Sequence, residues 1–175
     1  MDSKFLFKGN LVSLIASLII LAGLVLLEIN GISFALSGTF LAIMTVVWIL
    51  AIPSLVSYHR SKLERRWILD FFGIAAMVIT LVGLILAYQR SFLGVEIIVL
   101  GYTLEPIAGI SIYLTANKIS KLYSSLFFWG AVVFTFGLPL YLFNFGDISI
   151  FGDVVKMVGI VMLMRSYLLS NLTKR

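Results

Sequence analysis

The sequence predicts an all-α, polytopic integral membrane protein with six transmembrane helices in one domain over residues 1–175. Hydrophobic residues make up 61% of the chain and charged residues only 12%, whereas soluble domains have roughly 45–50% and about 25%. A water-soluble fold of this length cannot cover so much apolar surface with polar groups. Six apolar runs approach the length of about 20 residues that a membrane-spanning helix needs, and none alternates as the strands of a membrane barrel do.

Each apolar run predicts one helix, and the short polar segments between them predict the connections. The runs cover residues 11–27, 32–52, 68–88, 92–115, 125–143 and 148–169, with Pro53 after the end of the second. The first is long for a secretory signal and lacks a clear cleavage site, so we expect it to be retained. The sixth has two alternative starts. A start near Ile148 places Lys156 close to mid-membrane, whereas a start near Val154 makes Arg165 the deeper charge.

Basic residues are distributed unevenly between the two ends of the predicted helices. One end holds Lys4, Lys8, Arg60, Lys62, Arg65, Arg66, Lys118, Lys121, Lys174 and Arg175, and the other holds Arg90 alone. Because cytoplasmic loops carry an excess of Lys and Arg, the pattern predicts a multi-pass membrane protein with both termini in the cytoplasm. We expect Arg60, Lys62, Arg65 and Arg66 to contact anionic lipid headgroups, at about 1 kcal/mol per cation near the surface.

A Gly-Leu-x-Leu pattern occurs three times, at Gly23, Gly83 and Gly137. Each copy lies near the end of an odd-numbered predicted helix. Ser33-Phe34, Ser91-Phe92 and Ser149-Ile150 follow them at the predicted starts of the even-numbered helices. The pattern favours three tandem helical hairpins over residues 11–52, 68–115 and 125–169. The alternative is that glycine and leucine recur here only because they are common in such a chain.

Glu105 is the strongest candidate for an intramembrane polar site, because a charge inside the membrane is costly and often functional. It precedes Pro106, which cannot donate a backbone hydrogen bond to the carbonyl of Tyr102. We expect a kink there, with the Tyr102 carbonyl as an extra ligand to a proton or cation bound by Glu105. Gly101 and Gly109 share the face of Glu105, which favours close approach of another helix. The alternative is a protonated or paired glutamate that only locks helix packing.

Three further charged residues within the apolar runs are candidates for the same polar site. Glu96 is nine positions before Glu105, so it projects from the opposite face of the helix and is expected near the outer interface. Asp153 and Lys156 are three residues apart, a spacing that permits a local ion pair. If Lys156 lies deep in the membrane it needs a carboxylate, and we expect a pairing with Glu105.

The residue inventory narrows the function. The chain has no Cys and one His, His59, so it lacks the ligands of bis-His haem or of a typical zinc site. It carries no nucleotide-binding or hydrolase motif, so we expect no enzyme, no cofactor and no nucleic-acid partner. The sequence favours a non-catalytic structural or accessory subunit of a homo-oligomer or a larger membrane complex. The alternative is a small channel or a proton- or cation-coupled transporter that uses Glu105.

Overall fold

A computed structural model describes residues 3–172 of the chain, and the side chains of residues 4–168. Over these residues the protein is helical and contains no strand. Two short 3₁₀ helices, Ile32–Leu36 and Leu138–Phe143, accompany the α-helices. The α-helices are α1 Ser3–Asn30, α2 Gly38–Arg60, α3 Arg66–Tyr88, α4 Phe92–Thr103, α5 Glu105–Ala116, α6 Lys121–Gly137 and α7 Asp147–Leu172.

Five segments of the described chain are long and apolar enough to cross a membrane, which indicates a membrane protein. They comprise residues 4–30, 38–60, 66–88, 92–116 and 121–143. The fourth segment joins α4 to α5, and the fifth joins α6 to the following 3₁₀ helix. Helix α7 is 26 residues long but carries Asp153, Lys156 and Arg165, and it is not one of these five.

The helices pack as three hairpins arranged in a closed ring. The most extensive contacts are between α1 and α2, between α3 and the α4–α5 pair, and between α6 and α7. The hairpins then meet through α2 with α3, α5 with α6, and α7 with α1. Large apolar side chains such as Phe71, Phe136 and Val161 remain exposed on the outside of the ring, as lipid-facing residues do.

The prediction for the second helix was wrong at both ends. Residues 32–36 form a 3₁₀ turn, because Gly31 adopts a positive φ of 78° that ends α1. Helix α2 begins only at Gly38, where the Ser37 hydroxyl accepts a hydrogen bond from the Phe40 amide at 3.1 Å. Ser37 is therefore the N-cap of α2, four residues after the Ser33 at which the helix was predicted to start.

Pro53 lies inside α2 and does not follow its end, since the helix continues to Arg60. The proline ring removes the backbone donation to the carbonyl of Ile49, four residues earlier, and membrane helices tolerate proline in such positions. The carbonyl of Pro53 itself accepts a hydrogen bond from the Ser57 hydroxyl at 2.7 Å.

The three glycines of the Gly-Leu-x-Leu pattern have different neighbours. A Cβ on Gly83 would lie 2.8 Å from the Gly94 carbonyl oxygen, and one on Gly137 would collide with the Ser149 backbone. These two glycines therefore let the two helices of a hairpin approach backbone to backbone. Gly23 instead faces a side chain, since a Cβ on this glycine would lie 3.1 Å from a methyl group of Ile43.

Two buried apolar clusters fill the ring. One lies toward the hairpin tips and includes Leu24, Leu41, Leu84 and Phe134. The other lies toward the opposite end, where the basic loops are, and includes Leu6, Tyr58, Ile112 and Leu163. The space between them is not completely filled.

Candidate functional site

A cavity of about 190 Å³ lies inside the helical ring. All seven α-helices contribute to its wall, and members of both apolar clusters line it, such as Ile20 and Ile112. Among the described residues that line it, only Glu105 and Lys156 are charged. The cavity therefore places an acidic and a basic side chain in otherwise apolar and hydroxyl-bearing surroundings.

Lys156 is almost completely buried, with 6% of its side chain exposed. Its Nζ atom lies 2.8 Å from Oδ1 of Asp153 and 4.0 Å from Oε1 of Glu105. The same atom lies 4.4 Å from the centroid of the Phe134 ring, a cation–π arrangement. Because α7 begins at Asp147, the structure agrees with the earlier of the two predicted starts, and both predicted contacts of Lys156 are present.

Asp153 is fully buried between α7 and α6. The backbones of these helices come close because Gly130 faces the backbone of Lys156 and Gly152 faces the backbone of Phe134. Among the described residues, Oδ2 of Asp153 has no hydrogen-bond donor. The ammonium of Lys156 is thus the principal compensation for this buried carboxylate.

Glu105 lies at a break in the fourth membrane segment. Helix α4 ends at Thr103 and α5 starts at Glu105, with Pro106 in the first turn. The Tyr102 carbonyl, which Pro106 cannot reach with a backbone donor, accepts a hydrogen bond from the Thr135 hydroxyl at 3.4 Å. The Glu105 carboxylate is in the first turn of α5, where the helix dipole favours negative charge. Its side chain is 45% exposed.

Tyr102 lines the cavity, and its ring packs edge-on against Phe134 with 5.7 Å between centroids. Phe134 therefore contacts both Tyr102 and the ammonium of Lys156. Glu96 is exposed on α4 and does not line the cavity, so the structure separates it from Glu105.

The expectation for the small residues on the Glu105 face was correct at one position and wrong at the other. Gly101 packs tightly against Thr80 of α3. At Gly109 no described atom lies within 4 Å of an added Cβ, because this glycine faces the cavity and not a helix.

Sequence reasoning missed a hydrogen-bonded set of polar residues at one end of the cavity. The Ser13 hydroxyl lies 2.9 Å from that of Ser54 and 3.2 Å from that of Tyr58. The Tyr58 hydroxyl donates to Oδ1 of Asn10 at 2.8 Å. The signal was present in the spacing, because Asn10 and Ser13 share one face of α1 and Ser54 and Tyr58 share one face of α2.

One of the four Lys and Arg residues in and beside the basic loop between α2 and α3 forms an ion pair. Arg66 Nε lies 3.4 Å from Oδ2 of Asp70, whose Oδ1 lies 2.8 Å from Nδ1 of His59. Arg60, Lys62 and Arg65 are exposed, and within the described residues their side chains form no ion pair. These three are available to lipid headgroups.

A carboxylate such as that of Glu105 is a group that can take up a proton or pair with a cation. No group of three His, Cys, Asp or Glu side chains in the described chain is arranged to hold a metal ion. Comparisons with family models, curated proteins and solved structures found no match for this chain.

Proposed function

We propose that this protein is a small channel or a proton- or cation-coupled transporter that uses the intramembrane carboxylate of Glu105. The observation that carries the proposal is the charge imbalance around Lys156, where one ammonium faces two carboxylates within 4.0 Å. One lysine neutralises one carboxylate. An ionised Glu105 then leaves an excess negative charge beside an apolar cavity, and such a charge is costly away from bulk water. The site therefore favours uptake of one proton or one cation.

Differences in exposure assign different roles to the two carboxylates. Asp153 is fully buried and lies closest to the ammonium of Lys156, so this pair has a fixed structural role. Glu105 is 45% exposed and more distant from the ammonium. Glu105 is therefore the group that can exchange its proton or cation with the cavity.

The interrupted membrane segment supports the same function. Broken helices recur at the binding sites of transporters, where the half-helix ends and unpaired carbonyls interact with ions and substrates. Here the break places the carboxylate of Glu105 in the first turn of α5, three residues after Tyr102, whose carbonyl loses its backbone donor at Pro106 and accepts a hydrogen bond from Thr135.

A polar route from the cavity supports proton or ion access. Ser13, Ser54 and Tyr58 line the cavity and hydrogen-bond to each other, and Tyr58 continues to the buried Asn10. Tyr58 lies two residues before Arg60, at the end of the bundle with the basic loop. We propose that water and protons reach Glu105 from this end.

The proposed topology has six spans, with both termini in the cytoplasm and the basic loops against anionic lipids. Helix α7 is the sixth span, because 26 residues extend about 39 Å, which exceeds the hydrocarbon thickness of about 30 Å. Its charged residues Asp153 and Lys156 face the interior of the ring and pair with each other. We also propose that the three hairpins are tandem repeats, in which the first tip has diverged at Gly23.

The alternative function is a non-catalytic subunit of a homo-oligomer or a larger membrane complex. The observation that favours it is the broad apolar exterior, where Phe136 is 68% and Trp129 is 59% exposed. The connections between helices are short, such as residues 61–65 and 117–120, so a partner would pack against the helices themselves. In this function Glu105 and Lys156 only hold the helices together.

Ion flux into liposomes discriminates the two functions. Purified protein is reconstituted at known orientation, and uptake of H⁺, Na⁺ and K⁺ is followed with fluorescent indicators under an imposed membrane potential. Glu105→Gln removes the exchangeable charge and nearly preserves the shape of the side chain, so we expect flux to fall to the level of empty liposomes. Glu96→Gln is the matched control, because it makes the same chemical change on the same membrane segment outside the cavity.

Flux that Glu105→Gln abolishes and Glu96→Gln preserves would support the transporter or channel. If the wild-type protein carries none of these ions, or if Glu105→Gln carries them equally well, the proposal is wrong. If neither the wild-type protein nor Glu105→Gln carries ions, and Glu105→Gln assembles normally, the result would favour the subunit.

A further inference from the structure

We infer that the cavity binds a small organic monocation, of the alkylammonium class, against the carboxylate of Glu105. This inference rests on the proposed function and names its substrate class. It depends on four properties of the cavity: its charge, the chemistry of its wall, its volume and the exchange that Glu105 can perform.

The charge of the cavity selects for a cation. Of its two charged wall residues, Lys156 is 6% exposed and already lies 2.8 Å from Asp153. Glu105 is 45% exposed. The carboxylate is therefore the more accessible charge for a ligand inside the cavity, because the ammonium is already paired with Asp153 and lies 4.4 Å from the Phe134 ring centroid.

The wall of the cavity suits an organic cation better than a metal ion. Its aromatic members are Trp48, Tyr58, Tyr102, Phe127 and Phe128, accompanied by aliphatic side chains such as Ile20 and Met77. Aromatic faces attract alkylammonium groups while apolar surface accepts their methyl groups. Hard metal cations instead require six or more oxygen ligands.

Several hydroxyls in the wall are already committed to each other. Ser13, Ser54 and Tyr58 hydrogen-bond within the wall, and Trp48 Nε1 donates to the Met77 carbonyl at 2.9 Å. The hydrogen bond of Trp48 holds the indole in place, and the indole ring remains part of the cavity wall. These contacts leave fewer free oxygen lone pairs with which the wall could replace the hydration shell of an inorganic cation.

The volume limits the size of the ligand. About 190 Å³ corresponds to roughly six water molecules at their share of liquid volume. A cation of the size of choline fits such a space, whereas tetraphenylphosphonium is much too large.

The exchange is balanced in charge and atoms. Protonated Glu105 loses its proton to water, and the resulting carboxylate pairs with the incoming ammonium. Binding of one organic monocation thus releases one proton, and the total charge of the site is unchanged. No covalent bond other than the O–H bond of the carboxyl group is broken.

Calorimetry with choline tests the inference on the full-length protein in detergent micelles. Binding is measured together with proton release in weak buffer, and 3,3-dimethylbutan-1-ol serves as the neutral probe of the same shape. We expect choline to bind with release of close to one proton, and the neutral alcohol to bind roughly tenfold or more weakly. Tetraphenylphosphonium should not compete with choline.

Two pairs of variants locate the ligand. Glu105→Gln should weaken choline binding roughly tenfold or more and abolish proton release, whereas Glu96→Gln should change neither. Trp48→Leu should weaken binding roughly 2- to 30-fold, the range of cation–π contributions. Trp129→Leu, on the exposed face of α6, should leave binding unchanged and controls for the loss of a tryptophan.

The outcomes separate this inference from the proposed function. Equal binding of choline and the alcohol, or choline binding that survives in Glu105→Gln, would overturn the inference. Absence of choline binding with ion flux that still depends on Glu105 would also overturn it and leave the proposed function standing. Choline binding at Glu105 without flux of choline or of any tested ion would support the inference and refute transport.

Discussion

Lys156 and Asp153 form an ion pair inside the helical ring, with Nζ 2.8 Å from Oδ1 and side chains that are 6% and 0% exposed. Moving two charges out of water costs several kcal/mol per ion, and their attraction offsets this only while both partners are present. The two residues lie about one helical turn apart on α7, so the distance between them is set within that helix. Their burial depends on the packing of α6 against α7.

Loss of one partner of this pair should cost more than loss of both. We expect Lys156→Met to lower the free energy of unfolding by about 3–5 kcal/mol, because it leaves Asp153 buried without a cation. Asp153→Asn combined with Lys156→Met should recover at least about 1 kcal/mol of that loss. Unfolding in detergent micelles, followed by tryptophan fluorescence, measures each value.

Lys118→Met is the matched control for this cycle. Lys118 also pairs with a carboxylate, that of Glu64, but the two side chains are 70% and 41% exposed. Its loss should change the free energy of unfolding by less than about 1 kcal/mol. If Lys156→Met and Lys118→Met lowered the free energy of unfolding equally, burial would not be the cause of the larger effect expected for Lys156.

Exchange of Glu105 and Lys156 tests their 4.0 Å contact. The test is made in an Asp153→Asn background, because Asp153 also needs the ammonium of Lys156. Each single reversal then places two like charges side by side in the interior, so we expect loss of folded protein for both. Glu105→Lys with Lys156→Glu restores one carboxylate and one ammonium, and should restore a monodisperse peak in size-exclusion chromatography. Failure of this double reversal to recover would mean that the two side chains do not interact.

Gly130 should be intolerant of even one methyl group. A Cβ there would collide with the backbone of Lys156, and extra volume in a tightly packed interior costs about 1–3 kcal/mol. We expect Gly130→Ala to lower the melting temperature in micelles. Gly109→Ala has open space around the new methyl group and should be neutral or stabilising by up to about 1 kcal/mol. If Gly109→Ala were less stable than Gly130→Ala, the close approach of α6 and α7 would be refuted.

The Tyr58 hydroxyl should control access to the cavity. Tyr58→Phe removes the donor to Asn10 and the contact with Ser13, so we expect slower Glu105-dependent flux with little change in the size of the cavity. Tyr88→Phe is the control, because that exposed hydroxyl contacts Thr45 at 3.0 Å outside the cavity. If both variants transport at the wild-type rate, the polar route does not pass through Tyr58.

Single cysteines test the proposed orientation, since the natural chain contains none. Lys62→Cys lies in the basic loop and Gln89→Cys at the second hairpin tip, and both positions are exposed. In intact cells a membrane-impermeant maleimide should label Gln89→Cys and should label Lys62→Cys only after permeabilisation. The opposite pattern would place the termini outside.

Several parts of the site could be predicted from single residues and their spacing. A glutamate before a proline in an apolar run predicted the break at Glu105, because proline removes a backbone donor wherever it occurs. The three-residue spacing of Asp153 and Lys156 predicted their contact, because residues three apart lie on the same face of a helix. Pro53 shows the limit of this reasoning, because α2 continues through it to Arg60, as membrane helices that contain proline can.

Other features depended on neighbours far away in the sequence. Gly109 was expected at a helix contact, but it faces the cavity. Gly130, which no local pattern distinguishes, lies against the backbone of Lys156. The polar set of Asn10, Ser13, Ser54 and Tyr58 joins α1 to α2. Residues of two helices meet in this way only after the helices have packed, so neither helix alone reveals the set.

Composition, run length and local spacing act within one helix, and they are enough to predict that the chain is helical, that most of it requires a lipid-like environment, and which charged residues lie within its apolar runs. The packing of the helices adds that the hairpins close into a ring, that the pair of Lys156 and Asp153 is buried with Lys156 Nζ 4.0 Å from Glu105, and that a cavity remains beside them. These features depend on which faces of the helices pack together, and in a chain that is apolar on all faces the hydrophobic pattern does not specify those faces.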